Sequence, residues 1–248
     1  MPDTVAFQTD DARPVPAVTT DEMREIDRLA IDVHGPNLYQ MMENAGRNLA
    51  ATAIEMLGEA WTTKPIVVLA GTGGNGGGGI AGARHLANRE ANVTLAVTNP
   101  SRLGEVPASQ LRVYTGTEGR LVAFEALNNA EPPALVIDAA IGYSLSGPPR
   151  GPTLEMIEFA NATSAAVLSL DTPSGLDTTT GDAPGTVVQA TTTMTLALPK
   201  VGLRSNRAGA LILADIGIPP IVYRDAGIQL EAPIFDHRFR IPIHSTER

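Results

Sequence analysis

The sequence predicts an α/β protein, a doubly wound three-layer αβα fold around a mostly parallel sheet. Short apolar runs recur along the chain, each bounded by turn residues, as in strands buried on both faces. Stretches with helical spacing lie between them, and strand–helix–strand in series implies crossover connections. Seven of the nine residues from Gly71 to Gly79 are glycine, directly after the first apolar run. Together these read as a Rossmann-like architecture.

The elements follow in order. Residues 1–18 are expected to form a flexible arm. Met1 to Pro16 carries three Asp and no basic apolar leader, so neither a signal nor a transit peptide is expected. Thr19 with Glu22 three residues on has capping-box spacing, and Met23, Ile26, Ala30 and Val33 then recur at helical intervals. Gly35-Pro36 ends that helix. A second follows, with Leu38, Met41, Met42, Ala45, Leu49, Ala53 and Leu57 on one face. Ile66 to Ala70 is the first strand, then the glycine loop, a helix from about Ala81 to Asn88, and a strand over Val93–Val97. Further strands are expected at Ala134–Ile137, Ala165–Leu170, Thr193–Leu198 and Ala210–Ala214, with helices near Val122–Asn128 and Leu154–Ala160. Residues 19–224 thus make one domain, and residues 225–248 an irregular extension wrapped over the surface.

Composition narrows the function. The 248 residues contain no Cys, which excludes a disulfide scaffold, thiol catalysis and cysteine-ligated metal. A net charge of −9 argues against a nucleic-acid partner, because phosphate binding needs a basic stripe. No stretch has the roughly 20 uninterrupted apolar residues of a membrane helix. A cytoplasmic protein without a membrane partner is expected.

Gly71-Thr72-Gly73-Gly74-Asn75-Gly76 matches G-x-G-x-x-G between a strand and a helix, where backbone N–H groups approach a phosphate. The dinucleotide fingerprint also wants an acid about 20 residues on, and Val97-Thr98-Asn99 supplies none. A Walker loop fails because no Lys-Ser or Lys-Thr follows. A turn with no ligand stays open as the third reading. Two carboxylates share the same edge, since Asp138 and Asp171 each end a strand. If the first strand abuts the Asp138 strand at the switch point, both acids and the loop line one crevice. Asn75 and Ser174 add oxygen donors, which suit a hard cation rather than zinc. The chain has only two lysines, Lys64 and Lys200, and Lys200 also follows a strand.

With these residues the sequence resembles the NAD(P)H-hydrate epimerases. Met42-Glu43-Asn44-Ala45-Gly46-Arg47 is similar to that family's M-E-N-A-G-R. Gly71 to Gly79 with Ala83-Arg84-His85-Leu86 resembles its glycine loop and A-R-x-L. Asp138-Ala139-Ala140-Ile141-Gly142 resembles D-A-x-x-G, and Asp171-Thr172-Pro173-Ser174-Gly175-Leu176-Asp177 matches D-x-P-S-G-L-D. Pro199-Lys200-Val201-Gly202-Leu203 and Asp215-Ile216-Gly217-Ile218-Pro219 complete the likeness, in order, from Thr19 to about Pro220.

The resemblance implies an isomerase of metabolite repair that interconverts the R and S forms of hydrated NADH and NADPH. It implies a homodimer acting beside a separate dehydratase. It also implies a potassium ion held by Asn75, Asp138 and Ser174, with the NAD(P)H hydrate as substrate rather than cofactor. By position, Asp171 is the acid–base residue and Lys200 its helper. Substrate contacts would come from Gly74, Asn75, Gly76, Gly77, Gly78, Gly142, Tyr143, Ser144, Leu145, Ser146, Gly147, Pro148 and Asp171. Three positions depart from the pattern: Gly74 and Gly78 replace an Asn and an Asp, and Tyr143 replaces a small residue. A second reading follows from them, a nucleotide-binding or regulatory protein of the same fold with weakened or no turnover.

Overall fold

The structure is a computed structural model that describes residues 7–203 and 205–246. In chain order it runs β1 (Phe7–Thr9), β2 (Pro14–Val15), α1 (Thr20–Leu29), α2 (Leu38–Leu57), β3 (Ile66–Ala70), α3 (Gly74–Ala87), β4 (Val93–Val97) and α4 (Glu105–Tyr114). It continues with β5 (Arg120–Val122), β6 (Leu135–Ala139), α5 (Pro152–Ala162), β7 (Ala166–Leu170), β8 (Thr192–Leu196), α6 (Ser205–Ala208), β9 (Ala210–Ala214), α7 (Pro220–Asp225) and β10 (Arg240–Ser245).

One sheet holds all the strands, in the order β2-β1-β10-β9-β8-β7-β6-β3-β4-β5. Pairing is parallel from β5 through β9 and antiparallel for β10, β1 and β2. Alternation along β3 explains the three layers. Ile66, Val68 and Ala70 pack under α2, α3 and α4, while Val67 and Leu69 face α5 on the other side. A third cluster joins α1, α7 and the antiparallel edge through Ile26, Val222, Leu213 and Ile241. Because β3 pairs with β4 on one side and β6 on the other, the strand order reverses there. That is the switch point where open α/β sheets bind ligands. No helix among the described residues is long and apolar enough to cross a membrane.

Local signals set several boundaries as expected. Thr19 caps α1 in a reciprocal capping box with Glu22, and Asn37 does the same for α2 with Gln40. Other expectations are corrected. The residues expected as an arm and an irregular tail contribute β1, β2 and β10 to the sheet, because Phe7, Ile241 and Ile243 find an apolar edge at β9. Residues 1–6 and 247–248 of those segments lie outside the described residues. The stretch near Val122–Asn128 is the end of β5 followed by a 3₁₀ turn over Phe124–Asn129, and α4 was not foreseen. Val33 is exposed instead of completing the apolar face of α1.

The largest correction is at the glycines. Residues Gly74 to Gly79 are not a loop; they are the first half of α3. Helix propensity disfavours Gly by about 1 kcal/mol relative to Ala, so packing must decide. A Cβ on Gly79 would stand 2.4 Å from Ala139 Cβ of β6, and one on Gly76 would stand 2.0 Å from the Gly71 carbonyl oxygen. The helix lies so close to the sheet that a side chain has no room there.

Candidate functional site

A cavity of about 210 Å³ opens at the carboxyl ends of β7 and β8, roofed by α1, α2 and the start of α3. Pockets for drug-sized ligands run roughly 300–1,000 Å³, so this one takes a ring-sized part of a larger molecule. Its apolar lining comes from Met23, Leu38, Met41, Met42, Leu170 and Ile216, among others. The polar lining is Asp27, Asn75, Tyr143, Ser144, Asp171 and Lys200.

Asp171 follows β7 with a left-handed φ of 68°, a conformation that costs energy in a non-glycine residue and clusters at functional sites. Its carboxylate is held on both oxygens. Lys200 Nζ donates to Oδ1, and the Tyr143 N–H donates to Oδ2 at 3.0 Å. Lys200 is only 1% exposed and also donates to the Leu196 carbonyl at 3.0 Å. A buried ammonium needs such partners, since an unpaired one is too costly to desolvate. Gly142 packs against this group, for a Cβ there would stand 3.1 Å from Asp171 Oδ2 and 3.2 Å from Asn75 Cβ.

Tyr143 is anchored at every polar atom. Besides its N–H on Asp171, its carbonyl accepts from Thr178 Oγ1 at 3.0 Å and its phenol donates to Asp27 Oδ2 at 2.6 Å. Lys200 Nζ lies 5.8 Å from the ring centroid, within cation–π reach. Burial and the neighbouring Asp27 push the Tyr143 hydroxyl upward, so it stays protonated. Burial also raises the Asp27 carboxyl, against the hydrogen bond from Tyr143 and the charge of Lys200.

Asp138 sits one strand over, fully buried at the end of β6. Ser169 Oγ at 2.8 Å and Ser174 N–H at 2.9 Å donate to Oδ2, while Ser174 Oγ and the Ala140 N–H donate to Oδ1. Burial raises its carboxyl, and those donors oppose the rise. Ser174 Oγ also accepts from the Ile141 N–H at 2.8 Å, tying the turn after β6 to the turn after β7. Asn75 is different: its side-chain oxygen and nitrogen are both buried, and neither has a hydrogen-bond partner among the described residues.

The expected residues divide accordingly. Gly74, Asn75, Gly78, Tyr143, Ser144, Asp171 and Lys200 line the cavity. Gly76, Gly77, Gly142, Leu145, Ser146, Gly147 and Pro148 are absent from its lining: Gly77 abuts Met42, Gly142 backs Asp171, and Leu145 faces a neighbouring polar hollow beside Thr20 and Thr179. Asp138 and Ser174 lie beneath the cavity rather than in its wall. Sequence reasoning missed Asp27. The available signal was weak, an acid on the inward side of α1 one residue after buried Ile26.

Residues 38–202 match the family described as YjeF-related protein N-terminus. An NAD(P)H-hydrate epimerase of Dehalogenimonas lykanthroporepellens is 47% identical over 223 residues, covering 90% of this chain and 91% of its own. Its counterpart from Truepera radiovictrix is 35% identical, covering 84% of this chain and 93% of its own. A bifunctional NAD(P)H-hydrate repair enzyme of Salinibacter ruber is 34% identical over 84% of this chain, which spans only 42% of that longer protein. The crystal structure of yeast ynu0 superposes with a TM-score of 0.80 over 92% of this chain and 100% of its own, at 22% identity, a likeness of fold.

Proposed function

The chain belongs to the YjeF-related protein N-terminus family, and from that premise we propose that it is an NAD(P)H-hydrate epimerase, interconverting the R and S forms of hydrated NADH and NADPH. The observation that carries this reading is the Asp171–Lys200 pair, buried in the wall of a ring-sized cavity whose remaining lining is largely apolar. Epimerisation requires the hydroxyl on the hydrated ring carbon to leave and return on the other face. Asp171 moves that proton, with Oδ2 steadied by the Tyr143 N–H and Oδ1 by Lys200. A carboxylate at this place also stabilises the positive charge that develops on the ring. Gly74 and Gly78 line the same cavity without side chains and leave space for the ring. The pair on which the chemistry depends is complete, which favours turnover over mere binding.

A potassium ion fits the donors nearby. Asn75 Oδ1 is a buried oxygen lacking a partner among the described residues, and Asp138 and Ser174 add a carboxylate and a hydroxyl. One formal charge among neutral oxygens suits a monovalent cation better than a divalent one. An ion held there would supply a fixed positive charge to offset the buried Asp138 carboxylate. The proposed functional partner is a dehydratase, a second repair activity of the kind that the bifunctional NAD(P)H-hydrate repair enzyme of Salinibacter ruber would carry in the part this chain does not span.

The test is direct. Pure S or pure R hydrate incubated with the protein should be scrambled, and Asp171→Asn should slow this by about 10²–10⁴-fold, the usual contribution of a general acid or base. Binding of the dinucleotide without scrambling would sink the reading.

A further inference from the structure

We propose that Asp27 is a second acid–base residue of this reaction, positioned by Tyr143, so that each face of the reacting ring carbon is served by its own carboxylate. The proposal rests on the epimerase reading.

Two carboxylates, Asp27 and Asp171, line the one cavity, and they come from different elements, α1 and the turn after β7. A single residue joins them: Tyr143 gives its main-chain N–H to Asp171 and its phenol to Asp27. The acids thus meet the two ends of one residue, its main-chain N–H and its phenol. Asp171 is held on both oxygens, whereas Asp27 is anchored at Oδ2 and its Oδ1 takes no hydrogen bond among the described residues. Their surroundings differ in the way a two-base site needs. Asp171 has the Lys200 ammonium hydrogen-bonded to one oxygen and a main-chain N–H to the other. The Asp27 carboxyl is half-buried, its one hydrogen bond among the described residues comes from the Tyr143 phenol, and burial raises it.

In one direction of the reaction Asp27 serves as the acid and Asp171 as the base. With the hydroxyl on the Asp27 side, Asp27 donates its proton to that oxygen. The C–O bond breaks with its electron pair on the departing water, and the ring nitrogen's lone pair forms the C=N bond of an iminium. Water then adds from the Asp171 side. Its oxygen lone pair makes the new C–O bond, the C=N electrons return to nitrogen, and Asp171 takes the released proton. No oxidant or reductant enters. The opposite epimer runs the same steps backward, or solvent resets the two protons.

Oxygen exchange tests this. Each pure epimer is incubated in H₂¹⁸O with wild-type protein, Asp27→Asn and Asp171→Asn, following inversion by chromatography and label by mass spectrometry. Wild type should invert both epimers and incorporate label as it does so. Asp27→Asn should slow inversion in both directions by about 100-fold or more, yet one epimer should still gain label without inverting, through Asp171. Asp171→Asn should show the mirror pattern, with label entering the other epimer. Tyr143→Phe, which keeps the ring and loses the anchor on Asp27, should show a milder form of the Asp27→Asn asymmetry.

Unchanged inversion in Asp27→Asn overturns the proposal, as does equal loss of exchange from both epimers, which a purely structural role would give. Rapid inversion by wild type without label also overturns it, because the hydroxyl would then never leave. Absence of inversion in wild type removes the epimerase reading itself, and this proposal with it.

Discussion

Lys200 carries an unusual burden for a single side chain. It is 1% exposed, it pairs with Asp171, and its backbone bridges to Val18 at the entry to α1. Surface ion pairs contribute about 0–1 kcal/mol, but breaking a buried pair by removing one partner costs about 3–5 kcal/mol, since the other charge is stranded. Lys200→Met should therefore lower stability by about 3–5 kcal/mol in urea unfolding. Asp171→Asn/Lys200→Met should recover part of that loss, because neither charge is then left alone. A double variant whose loss equals the sum of the singles would show that the two side chains are not coupled. At this scale the sequence was informative about identity and silent about depth. Asp171 and Lys200 were legible as strand-end charges, whereas Asp27 was not, because a half-buried acid on α1 looks like any helical surface acid until Tyr143 folds over it.

Element boundaries were legible wherever local chemistry sets them and illegible where packing overrides it. The capping boxes at Thr19 and Asn37 and the continuous apolar run of β3 depend on neighbours in sequence. α4 hides because its buried positions are Pro107, Gln110 and Tyr114, which make no apolar stripe. The glycine-rich start of α3 hides because composition says turn while contact says helix. The crossing of α2 and α3 shows the reason. A Cβ on Gly46 would come 2.5 Å from Ala81 Cβ and 2.7 Å from the Gly82 backbone nitrogen. Gly46→Ala gains about 1 kcal/mol of helix propensity, but overpacking a core contact costs about 1–3 kcal/mol. Here the obstacle is backbone that cannot rotate aside, so the cost should win. Net destabilisation of up to about 2 kcal/mol should appear as a lower urea midpoint. Because Ala45 and Met42 on the same helix line the cavity, any shift of α2 should also raise KM more than it lowers kcat. An alanine that leaves the midpoint unchanged would mean that the two helices separate without cost.

The whole molecule is a parallel doubly wound sheet finished by a three-strand antiparallel border. The parallel part was legible from the apolar runs. The border was not, since Phe7–Thr9 and Pro14–Val15 are too short to signal strands, and Arg240–Ser245 alternates polar and apolar residues beyond a long irregular stretch. Yet the border closes the edge at β9. Ile241 and Ile243 are buried with Leu211, Leu213 and Phe7, while Arg240 donates to both carboxylate oxygens of Glu55 on α2 at 2.6 and 3.0 Å. Arg238 adds a pair to Asp10 next to β1. Deleting residues 227–248 would remove β10 and strip β1 of its partner. Burial of a large aliphatic side chain contributes about 1.5–3 kcal/mol, so losing Ile241 and Ile243 alone forfeits about 3–6 kcal/mol. Net stability of a folded domain is about 5–15 kcal/mol, so the deletion should take a large part of it. It also leaves β9 as an exposed apolar edge, the kind that pairs with other copies. The shortened protein should therefore melt about 6–24 °C lower (about 2–4 °C per kcal/mol at this size) and aggregate in a concentration-dependent way. The cavity at β7 and β8 is separated from β10 by β9 and takes no lining residue from 227–248, so turnover per folded molecule should persist in fresh preparations. A truncated chain that melts with the full one would show that the border merely decorates the sheet.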